Sequence, residues 1–378
     1  MWSGGGRVIA SQPALTLGLG LMLVLVACHS RTTSTQTARD ASADGALDGA
    51  GARSAGGASA GRSGEAGSAP DSSVGGSAAG GSAGVAAGGV VAMMHPDGFA
   101  ALVDVQGAGK LLNVSAQLDA VSSGADKSVA ISPDGAWLAL TTTRFGCGSW
   151  DCLALVPRDL SRGEAISAGG GAVHPDRPLA VGPGGSWIAF SDQGGTHSRD
   201  VFVSRKVSGA WGERVALSDR SPYAYNAQPA PAPGGDRVVF DCGNAPYGGD
   251  GTAICSAAID GTDFRVLLSP GAGVAQDAVA LHHAAYAPDG SLVFEMNGRA
   301  TGERVWRLSA GKLQMLGEFR NDNSPCVLPS GVIASLYLGR DGNASGAHEL
   351  KLMSASGAAP HMALTGVDIV DSQISCGK

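Results

Sequence analysis

Five times between residues 128 and 336 the chain repeats a short apolar run, a glycine-containing turn led by proline, and a second apolar run. The copies are SVAISPDGAWLAL (Ser128–Leu140), PLAVGPGGSWIAF (Pro178–Phe190), QPAPAPGGDRVVF (Gln228–Phe240), HAAYAPDGSLVF (His283–Phe294) and SPCVLPSGVIASL (Ser324–Leu336). Their turn prolines, Pro133, Pro183, Pro233, Pro288 and Pro329, stand 50, 50, 55 and 41 residues apart. Proline fixes φ at the first corner of a type I turn, Asp or Gly fills the second, and the last Gly takes the left-handed conformation of a bulged hairpin. The final copy differs only in placing Ser330 before Gly331. The flanking runs are therefore the first two strands, a and b, of a recurring antiparallel unit.

A period of roughly 40–55 residues with several short strands per unit is the signature of propeller blades. Outer strands c and d are supplied by runs such as DVFVSRK with RVALS (Asp200–Lys206, Arg214–Ser218) and RVWRLSAGKLQMLGE (Arg304–Glu318). No sustained helical periodicity interrupts them, so the expected fold is all-β. The repeated x-S-P-D-G-x-x-I-A-F resembles the PD40 (WD40-like) repeat of TolB-like six-bladed propellers, over about Val90 to Lys378. The resemblance implies a fold and leaves function open. The chain departs from the family by lacking Trp two residues before the proline, where it has Ile131, Val181, Pro231, Tyr286 and Val327. No counterpart of TolB's additional N-terminal domain is expected either, so a role in the Tol system is not carried over.

A sixth motif, His95–Gly98, lies only 37 residues before Pro133, and the run from Leu102 to Ser115 reads as a c–d hairpin. Val90–Met94 is accordingly expected to be a strand b. Its missing strand a is then VDSQISC (Val370–Cys376), and one C-terminal strand with three N-terminal ones would close a ring of six four-stranded antiparallel blades. An ordinary a–b turn at His95–Gly98 is the competing reading.

The first ninety residues are of another kind. The apolar run Leu15–Cys28 is short for a membrane span and shaped like a signal h-region. It ends in Leu25-Val26-Ala27-Cys28, which resembles a bacterial lipobox with Cys28 as the lipidated residue, and His29 after it favours the outer membrane by the same resemblance. Residues 28–89 are dominated by Gly, Ala and Ser and are too poor in large apolar side chains to order, so they form an expected disordered tether between a signal peptide (1–27) and the propeller (90–378). The net charge of −7 falls wholly beyond residue 90, without a basic cluster, which argues against nucleic acid as a partner.

With Cys28 assigned to lipid, an even number of cysteines remains in an oxidising compartment. Cys147 with Cys152 and Cys242 with Cys255 flank b–c loops at reasonable disulfide distances, and Cys326 with Cys376 would pair by elimination. The spacing is poor for zinc, and neither a metal nor a cofactor is expected.

In an antiparallel blade the a–b turns lie on one face of the disc and the b–c loops on the other. The long, varied b–c loops are the expected recognition face, with Trp150 at a loop tip as the foremost contact candidate. Entering the inner strands, seven residues before the turn prolines, stand Asp126, Asp176, Asn226, Leu281 and Asp322. These could form a polar rim around the channel mouth, or simply cap each strand entry by bonding their own backbone. His282 and His283 come directly after Leu281, and strand alternation aims one into the channel and the other into the blade. Trp137 and Trp187, each four residues after a turn proline, are expected to pack between blades. No nucleophile elbow, H-E-x-x-H or phosphate loop lies in the folded region, so no catalytic residue is assigned. The expectation is a monomeric, non-enzymatic, lipid-anchored envelope module binding a protein, peptide or glycan. The alternative is a propeller enzyme, such as a polysaccharide lyase, using the channel-mouth histidines and carboxylates.

Overall fold

The computed structural model describes residues 88–378, apart from 106–108, 149–151, 169–170, 174, 247–248, 318–321, 339–347, 359 and 365–372. The signal segment, Cys28, the tether up to residue 87 and Trp150 lie outside the described residues.

The described chain forms a six-bladed β-propeller. Blade one is built from both ends of the propeller sequence, in the order Ser375–Gly377, Val90–Met94, Ala100–Asp104 and Lys110–Asn113. His95–Gly98 thus connects strands b and c, and the C-terminal segment supplies the inner strand: Val90 pairs with Gly377, Val91 with Cys376 and Ala92 with Ser375. Blades two to six have inner strands Asp126–Ile131, Asp176–Val181, Tyr225–Pro231, Ala278–Tyr286 and Asp322–Val327. Each is joined to strand b by one of the repeated turns. In blade three the third strand, Asp200–Val207, pairs outward with both Ala210–Trp211 and Val215–Ala216. Proline is tolerated at Pro229, Pro231 and Pro325 because the inner strand is an edge, with one side facing the channel rather than a neighbouring strand.

The hydrophobic core is partitioned between blades. Alternate residues of one strand serve two interfaces: Val91 and Met93 pack with Leu328, Leu336 and Leu352 of blade six, while Ala92 and Met94 pack with Ile131, Leu138 and Leu140 of blade two. The same arrangement recurs at the other four interfaces among the described residues. Strands buried on both faces must read as continuous apolar runs, which is the pattern the repeats show.

Three disulfides join Cys147 to Cys152, Cys242 to Cys255 and Cys326 to Cys376. The last ties the closing strand to the inner strand of blade six. The turn face is stitched from blade to blade. The Asp134 carboxylate accepts a hydrogen bond from Gly184 N at 2.6 Å, and Trp187 Nε1 donates to Gly235 O of the next blade at 2.8 Å.

Candidate functional site

Every inner strand of blades two to six carries a register shift against its strand b. In blades four, five and six the extra residue takes a left-handed backbone: Gln228 at φ 58°, His283 at φ 51° and Ser324 at φ 47°. All three stand five residues before the turn proline, so one structural position is repeated three times. A non-glycine residue held at positive φ in a bulge is a local cost that re-aims a side chain. At the same position in blade two, Ser128 is instead engaged in a 2.7 Å hydrogen bond to Thr141.

The re-aimed residues line a cavity of about 340 Å³ on the channel axis. Its wall is formed by the turn prolines Pro133, Pro183, Pro233, Pro288 and Pro329, together with Tyr286 and the Cys326 and Cys376 pair. The cavity therefore opens among the short turns, on the face opposite the b–c loops. Among its described lining residues Asp134 is the one charged side chain.

Beneath it lies a buried acidic centre. The Glu295 carboxylate accepts hydrogen bonds from His283 Nδ1 at 2.9 Å and from Ser324 N at 3.3 Å. Burial by itself would raise the Glu295 pKa, but the His283 hydrogen bond and the nearby His283 and His282 rings outweigh it and hold Glu295 below the usual carboxylate range. In the neutral tautomer that donates Nδ1–H to Glu295, His283 carries its lone pair on Nε2. Asp241 accepts a hydrogen bond from His283 N at 3.2 Å and lies 3.6 Å from His282 Nδ1. Gln228 Oε1, His283 Nε2 and Ser324 Oγ are all buried without a hydrogen-bond partner among the described residues.

The structure gives the sequence candidates different roles. Asp126 is sealed inside: Ser115 and Thr142 hydroxyls donate to it at 2.6 and 2.7 Å, and Arg144 Nε at 3.1 Å. Asn226 is fully buried and donates to the carbonyls of Arg199, in blade three, and of Tyr223, three residues before it. Asp176 and Asp322 begin their inner strands. His282 and His283 do part company, His283 lining the cavity and His282 turning to Asp241. Gln228, Ser324, Glu295 and Asp241 do not stand out in the sequence. The available signal is a polar residue at one repeat position of the inner strands in blades four, five and six, twice with proline directly after it. Among the described residues no group of three or more His, Cys, Asp or Glu is arranged to hold a metal ion.

No protein-family model matches the sequence, and no curated protein matches it. Solved structures do match its fold. TolB from Acinetobacter baumannii aligns at 11% identity over 76% of this chain with a TM-score of 0.53, and this chain spans 65% of that protein's length. The fold is that of a TolB-like propeller. The putative TolB from Agrobacterium tumefaciens aligns at 15% identity over 74% of this chain and 89% of that one, with a TM-score of 0.51. A chain of the nidogen/laminin complex aligns at 11% identity over 77% of this chain and 98% of its own, also with a TM-score of 0.51. At these identities the TolB-like architecture is what is shared.

Proposed function

We propose that this chain is a non-enzymatic binding module whose central cavity receives a small ligand or one end of a larger envelope protein, peptide or glycan. One observation carries the reading: three blades hold backbone strain at the same position to line one proline-walled cavity with polar side chains that have no partner among the described residues. The volume of about 340 Å³ falls at the lower end of the roughly 300–1,000 Å³ common for small-ligand sites. The lipobox ending in Cys28 and the Gly/Ala/Ser tether support display of this module on a lipid anchor at the outer membrane, facing the periplasm or the cell surface.

The test is a ligand-observed NMR fragment screen on the propeller, repeated with Ala285→Phe, which places a ring in the cavity from a lining position. Fragments whose signals respond to wild type and not to the variant support the reading; identical responses from both overturn it. Circular dichroism confirms that the variant is folded. A second reading, catalysis, is favoured by the Glu295-oriented His283, the geometry of a general base. Turnover of a bound glycan or peptide that disappears in His283→Ala would replace binding with chemistry.

A further inference from the structure

We infer that the cavity is a receptor for a primary ammonium group carried on an apolar chain, such as an aliphatic amine or the α-amino end of a peptide beginning with an apolar residue. The inference rests on the binding reading above and names the ligand class. An ammonium has three N–H donors and no acceptor. Gln228, His283 and Ser324, from three consecutive blades at one repeat position, offer three side-chain acceptors without partners among the described residues. Gln228 Oε1 and Ser324 Oγ can therefore turn to a ligand without giving up a hydrogen bond of their own. Ser324 is only 2% exposed, which makes an unfilled hydroxyl there costly.

The charge balance points the same way. Burying a cation requires an opposing charge. Glu295 lies behind the imidazole and reaches the cavity through it, since an ammonium donating to Nε2 extends the chain that ends in Nδ1–H donating to the carboxylate. Asp241, at the backbone of His283, is a second carboxylate, shared with His282 3.6 Å away. No lysine or arginine is among the described lining residues, so a carboxylate ligand would find no counter-charge. The proline rings and Tyr286 form the apolar wall against which the ligand's carbon chain would be removed from water.

The experiment titrates hexylamine, hexanoate and 1-hexanol into wild type by calorimetry, together with Leu-Gly-Gly in free and N-acetylated forms. Hexylamine or the free peptide should bind at least tenfold tighter than the neutral and acidic probes. Gln228→Lys should abolish that binding by placing its own ammonium among the acceptors, and Gln228→Glu should tighten it several-fold. Glu295→Gln should weaken it tenfold or more, with thermal melting checking the fold of each variant. Binding of the free peptide but not the acetylated one marks a polypeptide end as the source. Binding of hexylamine alone marks a free amine. Equal or tighter binding of hexanoate or hexanol overturns the ammonium assignment while leaving a binding cavity. If no probe binds and the fragment screen is also silent, the binding reading falls with it.

Discussion

Asp126 and Arg144 form an ion pair closed to solvent, with Arg144 Nε 3.1 Å from both carboxylate oxygens and side-chain exposures of 0% and 1%. The same guanidinium bonds Asp119, the carbonyl of Ser122 and the carbonyl of Ser115, so one side chain ties the crossing from blade one to the entry of blade two. Breaking a buried pair leaves an uncompensated charge, at about 3–5 kcal/mol. Arg144→Met should therefore lower unfolding stability in urea by that amount, and Asp126→Asn should do comparable harm because it strands the Arg144 cation and keeps only one of the two acceptor oxygens.

Trp137 reaches across to the last turn glycine of the following blade. A Cβ on Gly185 would stand 2.8 Å from Trp137 Cδ2, and Gly185 has φ 63°. Gly185→Ala is thus strained twice, and should cost about 1–3 kcal/mol in denaturant titration. Gly184, at φ 64° with open space around its missing Cβ, provides the contrast: Gly184→Asn should be close to neutral.

The disulfides differ in the length of chain they close. Cys326–Cys376 spans 50 residues, while Cys147–Cys152 spans 5. Loop-closure entropy puts their removal at about 4 and about 2 kcal/mol. Cys376→Ser should be the more damaging, and limited proteolysis of that variant should cut first near the closing strand.

Two groups around the acidic centre make stability fall as pH rises. Burial and the charge of Glu295 raise the pKa of Glu303 against the pull of His282 and His283. A carboxyl with a raised folded pKa contributes stability below its unfolded pKa, and that is lost as pH climbs through the raised value. Glu303→Gln should therefore raise the neutral-pH unfolding free energy slightly, by about a few tenths of a kcal/mol after solvent screening, with the gain vanishing near pH 4.

Burial would lower the His282 pKa, but Asp241, with Glu295 and Glu303, more than reverses this. Its contribution is complete below the ordinary histidine pKa of about 6.5 and fades as pH rises through the raised value. Melting curves of His282→Asn should accordingly show a smaller loss of stability than wild type as pH rises above about 6.5.

The architecture was legible because repetition amplifies a weak local signal. One Pro-Asp-Gly turn is an ordinary hairpin, but five at blade spacing leave few alternatives. Even the misplaced sixth copy at His95 was informative, since its short distance to Pro133 required a strand from the far end. The site was less legible. Sequence variety drew attention to the b–c loops, whereas the described cavity lies among the uniform turns. It is made by bulges, which depend on backbone φ and leave only a polar residue out of phase in an apolar run. Glu295 was invisible for another reason: it sits in strand b opposite His282, and only the bulge brings the His283 ring to it. Asp126 read as either a rim carboxylate or a backbone cap, because nothing local announces an arginine eighteen residues away folding back over it.

Closing blade one with Ser375–Gly377 has a consequence for biosynthesis. Val90–Met94 leaves the ribosome among the first propeller residues and waits for nearly the whole of the remaining chain before its inner partner exists. Until then the nascent ring shows two open strand edges, the feature that invites mispairing and attracts chaperones and proteases. A chain lacking Ser375–Gly377 would keep those edges exposed, so loss of a few C-terminal residues should cost far more than their own contacts.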